Sequence, residues 1–181
     1  MGEPTEKTWD GGASTNNWGD AANWNPDGVP GSSDDVTLTG ANTINIDVAA
    51  QCKTITLNNA GLTLTLLSGN SLTASENFNM SNGTFNTEIG FASVTGSTSI
   101  TGGTVGYTGT SAQTVAVLTY SNLVFSNSGT KTISSSLSAT GNVTINSGAT
   151  VTVSSSVTFL VNGALTLSGS LANTGTTTIG P

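Results

Sequence analysis

Histidine and arginine are both missing from this chain of 181 residues. Without His there can be no Ser-His-Asp triad, no imidazole general base and no His-ligated metal. Without Arg, the bidentate guanidinium clamp on phosphate or carboxylate is gone. Charge of either sign is scarce: charged residues make up 7%, ten acidic against three lysines, for a net charge of −7. Nucleic acid and anionic membrane surfaces are poor partners for such a chain, because both are bound through Lys and Arg. No apolar run approaches the length that spans a bilayer, so no membrane insertion is expected. Met1-Gly2-Glu3-Pro4 lacks the basic and apolar regions of a signal peptide. A lone Cys52 excludes an internal disulfide, and its parity with Ile46, Val48 and Ala50 points it inward.

What the chain has instead is Thr, Ser, Asn and Gly set among Val, Ile, Leu and Phe at strand spacing. Hydrophobic residues reach 35%, enough for a packed fold in spite of the low-complexity look. Val36-Thr37-Leu38, Thr43-Ile44-Asn45-Ile46, Thr54-Ile55-Thr56-Leu57 and Leu62-Thr63-Leu64-Thr65-Leu66 alternate apolar with polar, the period of a strand with one buried face. The last three blocks of about twenty residues align. Asn122, Asn142 and Asn162 open them, and Thr130-Lys131-Thr132-Ile133 lies over Thr150-Val151-Thr152-Val153. A repeat of that length with strand chemistry predicts an all-β fold, a right-handed parallel β-helix (solenoid) of about twenty residues per turn. The alternative is an antiparallel β-sandwich, with tight hairpins at Asn82-Gly83 and Asn162-Gly163. The repeat argues for the solenoid, since sandwich strands need not recur.

Residues 1–35 differ from the rest: they hold Trp9, Trp18 and Trp24 together with Asn/Asp/Gly clusters, and read as an irregular, Trp-rich leading or capping segment ahead of a β-helix over 36–181. The indoles have two readings, a plug over the open first turn or a platform that stacks on sugars. Asn23, Asn25, Asp27, Gly28 and Asp34 fall on positions of a calcium loop, with Asn in the first place and Asp in the last, so a calcium-pinned turn stands against local capping of backbone amides. No other cofactor is implied. Asp34 and Asp35 are adjacent and point to opposite faces of an extended segment, so they are not a facing catalytic pair. The Thr-x-Thr pairs at Thr37/Thr39, Thr54/Thr56, Thr63/Thr65, Thr130/Thr132 and Thr150/Thr152 suggest an ice-binding solenoid, but their uneven spacing predicts an interrupted ladder.

Trp18-Gly19-Asp20-Ala21-Ala22-Asn23-Trp24, then Gly28-Val29-Pro30-Gly31 and Asp34-Asp35-Val36-Thr37-Leu38, resembles the opening of large secreted bacterial β-helix surface proteins, the autotransporter-like and haemagglutinin-like adhesins. The stretch from Gly141 to Val153 is similar to their repeats. The resemblance implies an extracellular, cell-surface β-helix used for display or adhesion, with no catalytic residues to carry over. The resulting expectation is a non-enzymatic structural module of an adhesin or of a self-assembling surface filament, with a glycan-binding module as the alternative. Leu165, Leu167, Thr178 and Ile179 form the expected assembly edge, open to a further copy of the chain or to a following domain.

Overall fold

The computed structural model describes residues 5–180. The chain is all-β, a parallel β-solenoid with about twenty residues per turn. A three-residue 3-10 turn, Ala21–Asn23, interrupts it, and there is no α-helix among the described residues. Two compact units form: residues up to Phe85 with Ala92–Gly103, and Asn86–Phe91 with the chain from Thr104 onward.

In the first unit, strands Glu6–Trp9, Asp35–Leu38, Ala49–Leu57 and Ser71–Met80 stack in parallel, with Ser93–Val94 and Thr98–Ile100 laid on the last. Thr43–Ile46 and Thr63–Leu66 make a second parallel pair. The second unit has three stacks. One holds Thr104–Tyr107, Asn122–Phe125, Val143–Ile145 and Leu165–Leu167. Another holds Gln113–Thr114, Thr130–Ile133, Thr150–Val153 and Ser170–Asn173. The third holds Thr119–Tyr120, Leu137–Ala139, Thr158–Val161 and Thr176–Ile179.

Parallel sheets covered on both faces read as unbroken apolar runs. These strands alternate because a coil covers only its inner face. Register then turns alternation into apolar columns: Val36 over Ile55 over Phe78, and Phe125 over Ile145, all essentially without exposure. Each such side chain contributes roughly 1.5–3 kcal/mol on burial. At the corners the backbone must turn sharply. Gly83 adopts φ +88°, and a Cβ there would stand 2.8 Å from the Asn59 carbonyl oxygen, so only glycine fits.

Asn82-Gly83 and Asn162-Gly163 are therefore corners that carry the chain from one parallel stack to the next, and not hairpins. The antiparallel pair seen among the described residues joins Glu6–Trp9 to Trp24–Asn25. The asparagine column also differs from the sequence alignment. Asn142 N–H donates to Asn122 Oδ1 at 2.9 Å, but the next donor to Asn142 Oδ1 is Ala164 N–H at 2.9 Å. Asn162 is out of column because the turn from Val143 to Leu165 is two residues longer than that from Leu123 to Val143. Within the leading segment, Glu6–Trp9 is a regular strand with Lys7 opposite Val36. A lysine at an inward position hides the alternation that would mark it.

Candidate functional site

The three indoles form one cluster at the start of the first unit. Trp18 and Trp24 have no exposure, and Trp24 Nε1 donates to the Trp18 carbonyl at 2.9 Å. Trp24 meets Trp18 and Trp9 edge-on, with centroids 4.6 and 5.1 Å apart, the geometry that the ring quadrupole favours. Trp18 is positioned by a bridge between Asn17 and Asn45, which sets it beside the inward Ile46. Its own Nε1 is buried without a hydrogen-bond partner. A sugar platform needs an open ring face. Trp18 and Trp24 have none, and Trp9 is half-buried.

The residues of the calcium-loop pattern are not brought together. Asn23 is buried; its Oδ1 accepts from Ala13 N–H, and its Nδ2 donates to Thr15 and to the Asn17 carbonyl. Asp34 accepts from Thr5 N–H at 3.2 Å and from Gly31 N–H at 2.9 Å, capping its own turn. Asn25 and Asp27 are exposed. The loop does hold a cation, but it is a side chain: Lys7 Nζ donates to the carbonyls of Pro26 at 2.7 Å and Asp27 at 3.2 Å. Asp35 and Glu76 flank Lys53 at 3.6 and 3.8 Å. No group of three Cys, Asp or Glu converges among the described residues.

The second unit contains a polar cluster that sequence reasoning missed. Lys131 has no exposure, and its Nζ donates to four backbone carbonyls: Gly109 at 2.8 Å, Ser128 and Gly129 at 2.9 Å, and Asn127 at 3.2 Å. Burial pulls its pKa below the ordinary lysine value. Around it, Gln113 ties Gly109 N–H at 2.9 Å to the Thr87 carbonyl at 3.0 Å. The Tyr107 and Tyr120 hydroxyls lie 2.9 Å apart and grip both backbone groups of Ala116, Tyr107 accepting its N–H at 2.9 Å and Tyr120 donating to its carbonyl at 2.7 Å. Burial raises the pKa of both phenols. The signal was available in the parity: Lys131 stands opposite Val151, an inward position. Cys52 is also buried, and burial, with Asp35 adding, pushes its thiol up to about 12.

Lys7, Lys131, Tyr107, Tyr120 and Cys52 are thus turned inward, while carboxylates such as Glu6, Asp10, Asp27 and Glu76 stand exposed. One open groove of about 450 Å³ crosses the third stack of the second unit, with Val117, Leu118 and Leu160 beside Thr119, Ser136 and Ser138. It carries no charge and no ring. The expected assembly edge lies in the same unit. Leu165–Leu167, Ser170–Asn173 and Thr176–Ile179 each pair along one edge, with no strand on the other among the described residues. Leu167 and Ile179 are half exposed, Leu165 is partly covered, and Thr178 is exposed.

Residues 8–103, just over half of the chain, match the family model described as Domain of unknown function (DUF8693). The match stops at Gly103, where the first compact unit also stops. No curated protein and no solved structure matches the chain.

Proposed function

We propose that this chain, which belongs to the DUF8693 family, is a non-enzymatic structural module of an extracellular, cell-surface protein, an adhesin or a surface filament. The observation that carries this reading is how the reactive side chains are used. Lys131 and Lys7 are engaged by backbone carbonyls, Tyr107 and Tyr120 by Ala116 and by each other, and Asn23 by its own loop. Groups that an enzyme would aim at substrate here fasten turns. A scaffold of that kind presents a surface of low charge.

The glycan-binding alternative loses its best candidates with the burial of Trp18 and Trp24. For the filament form, the half-exposed Leu167 and Ile179 beside strand edges with no partner among the described residues offer an apolar contact for another strand. The deciding experiment is antibody labelling of source cells, intact and permeabilised. Labelling of intact cells is expected. Signal that appears only after permeabilisation overturns surface display, and light scattering of the purified chain then separates filament from single module.

A further inference from the structure

The outer face of the second unit's stack Gln113–Thr114, Thr130–Ile133, Thr150–Val153 and Ser170–Asn173 carries two straight columns. Register sets Thr114 over Thr132, Thr152 and Ala172, and Thr130 over Thr150 and Ser170. Their chain neighbours Lys131, Ile133, Val151 and Val153 are buried, so the threonines point outward. Among the described residues, the hydroxyls of these five threonines have no hydrogen-bond partner. Uneven spacing in the sequence predicts a broken ladder. The coil removes the unevenness by letting corners differ in length while strands keep register, and it sorts the Thr-x-Thr pairs into different stacks: Thr37 over Thr56 in one and Thr43 over Thr63 in another of the first unit, and this pair of columns in a stack of the second.

Strand geometry spaces the array at about 4.8 Å along each column and roughly 6.6 Å between columns. Threonine is β-branched, so the positions open to each hydroxyl and methyl are restricted before anything binds. The result is a pre-ordered lattice of hydroxyls with methyls between them. We propose that this face binds ice. Water oxygens in a crystal plane repeat in two dimensions, and hydroxyls fixed in rank can join such a plane while the methyls hold the intervening waters in a cage. No charge and no ring lies among the outward residues, so the face offers neither an ion pair nor a stacking surface to a polyanion or a sugar. The inference is independent of the display reading, since an array of this kind acts wherever the chain is located.

The test is thermal hysteresis and inhibition of ice recrystallisation by the purified chain. A hysteresis gap above that of an inert protein at equal mass concentration is expected. Thr152→Tyr puts a bulky ring at the centre of the array with a residue suited to strands, and it should abolish most of the gap. Ser138→Tyr, on a different stack, should retain it, with circular dichroism confirming that both fold. Thr130→Lys at an exposed array position is the second disrupting variant, should Thr152→Tyr fail to fold. A parent gap no larger than the inert protein's, or a gap unchanged in a folded array variant, overturns the proposal. Adsorption to crystalline cellulose without hysteresis overturns it as well, in favour of a polysaccharide.

Discussion

Replacing Lys131 by Met keeps most of the stem and removes the ammonium, which makes the four-carbonyl cage a direct test of what a buried charge does for this fold. The charge has no carboxylate partner within the cage; its ligands are the carbonyls of Gly109, Asn127, Ser128 and Gly129. Three N–H groups of a charged donor contribute about 1.5–3 kcal/mol each, so roughly 5–9 kcal/mol together. Withdrawing an ammonium from water costs several kcal/mol, and this loss disappears in the variant. Three of the carbonyls are only part-buried and regain water when the lysine leaves, but the bond to Gly109 is fully buried, and an unpaired acceptor there costs about 1–3 kcal/mol. The acceptors outweigh the desolvation, and Lys131→Met should lose about 2–3 kcal/mol. For a chain of this length that is a Tm lower by roughly 4–12 °C, read by calorimetry at pH 7. Lys131→Ala should lose more, because a cavity is added. A Tm equal to or above the parent's in Lys131→Met would refute the reasoning: it would mean that the desolvation of the ammonium exceeds everything the carbonyls return.

The Trp cluster gives a second prediction: Trp24→Ala should cost about 3–5 kcal/mol and Trp24→Phe about 1–3 kcal/mol, from the Trp18 carbonyl left unpaired. Denaturant titration measures both, and an unchanged midpoint for Trp24→Ala would mean that the indoles carry no packing energy. The third concerns alkaline pH. The Cys52 thiol ionises near 9.0 when unfolded and near about 12 when folded, so unfolding releases a proton between those values and stability falls as pH rises through that window. The loss amounts to about 3 kcal/mol by pH 11, with Tyr107 and Tyr120 adding in the same direction at higher pH. Cys52→Ala should flatten the fall between pH 9 and 11, and an identical pH profile for parent and variant removes Cys52 as its source.

Period-2 alternation and the twenty-residue repeat were enough to recognise the solenoid, because burial of one face is written directly into the choice of residue. Thr130–Ile133 over Thr150–Val153 is the register that the alignment predicts. Sequence failed downstream of a corner that changes length: the corner from Val153 to Phe159 is two residues longer than that from Ile133 to Leu137, which moves Asn162 out of column without altering its chemistry. It failed again at Glu6–Trp9 and at Lys131, where an inward lysine breaks the apolar pattern. A charge can occupy such a position only if backbone carbonyls converge on it, and convergence of that kind comes from the three-dimensional path of the corners. The calcium-loop pattern shows the reverse case: Asn23, Asn25, Asp27 and Asp34 have suitable spacing, but the Asn23 and Asp34 side chains are committed to different turns while Asn25 and Asp27 stand exposed.

Corners that vary in length without disturbing the strands on either side have a practical meaning for anyone wishing to modify the chain. The passage from Asn122–Phe125 to Val143–Ile145 and that from Val143–Ile145 to Leu165–Leu167 already differ by two residues, yet both pairs keep full parallel register. A foreign peptide grafted between Ser134 and Ser135 in the exposed corner would leave Ser136 Oγ in place to accept from Thr158 N–H and would have to satisfy only its own two ends, because the core columns are defined rung against rung and not by distance along the chain. The natural tolerance seen at one corner thus makes the coil a carrier, on which epitopes or binding loops could be set at intervals of a single strand spacing, about 4.8 Å.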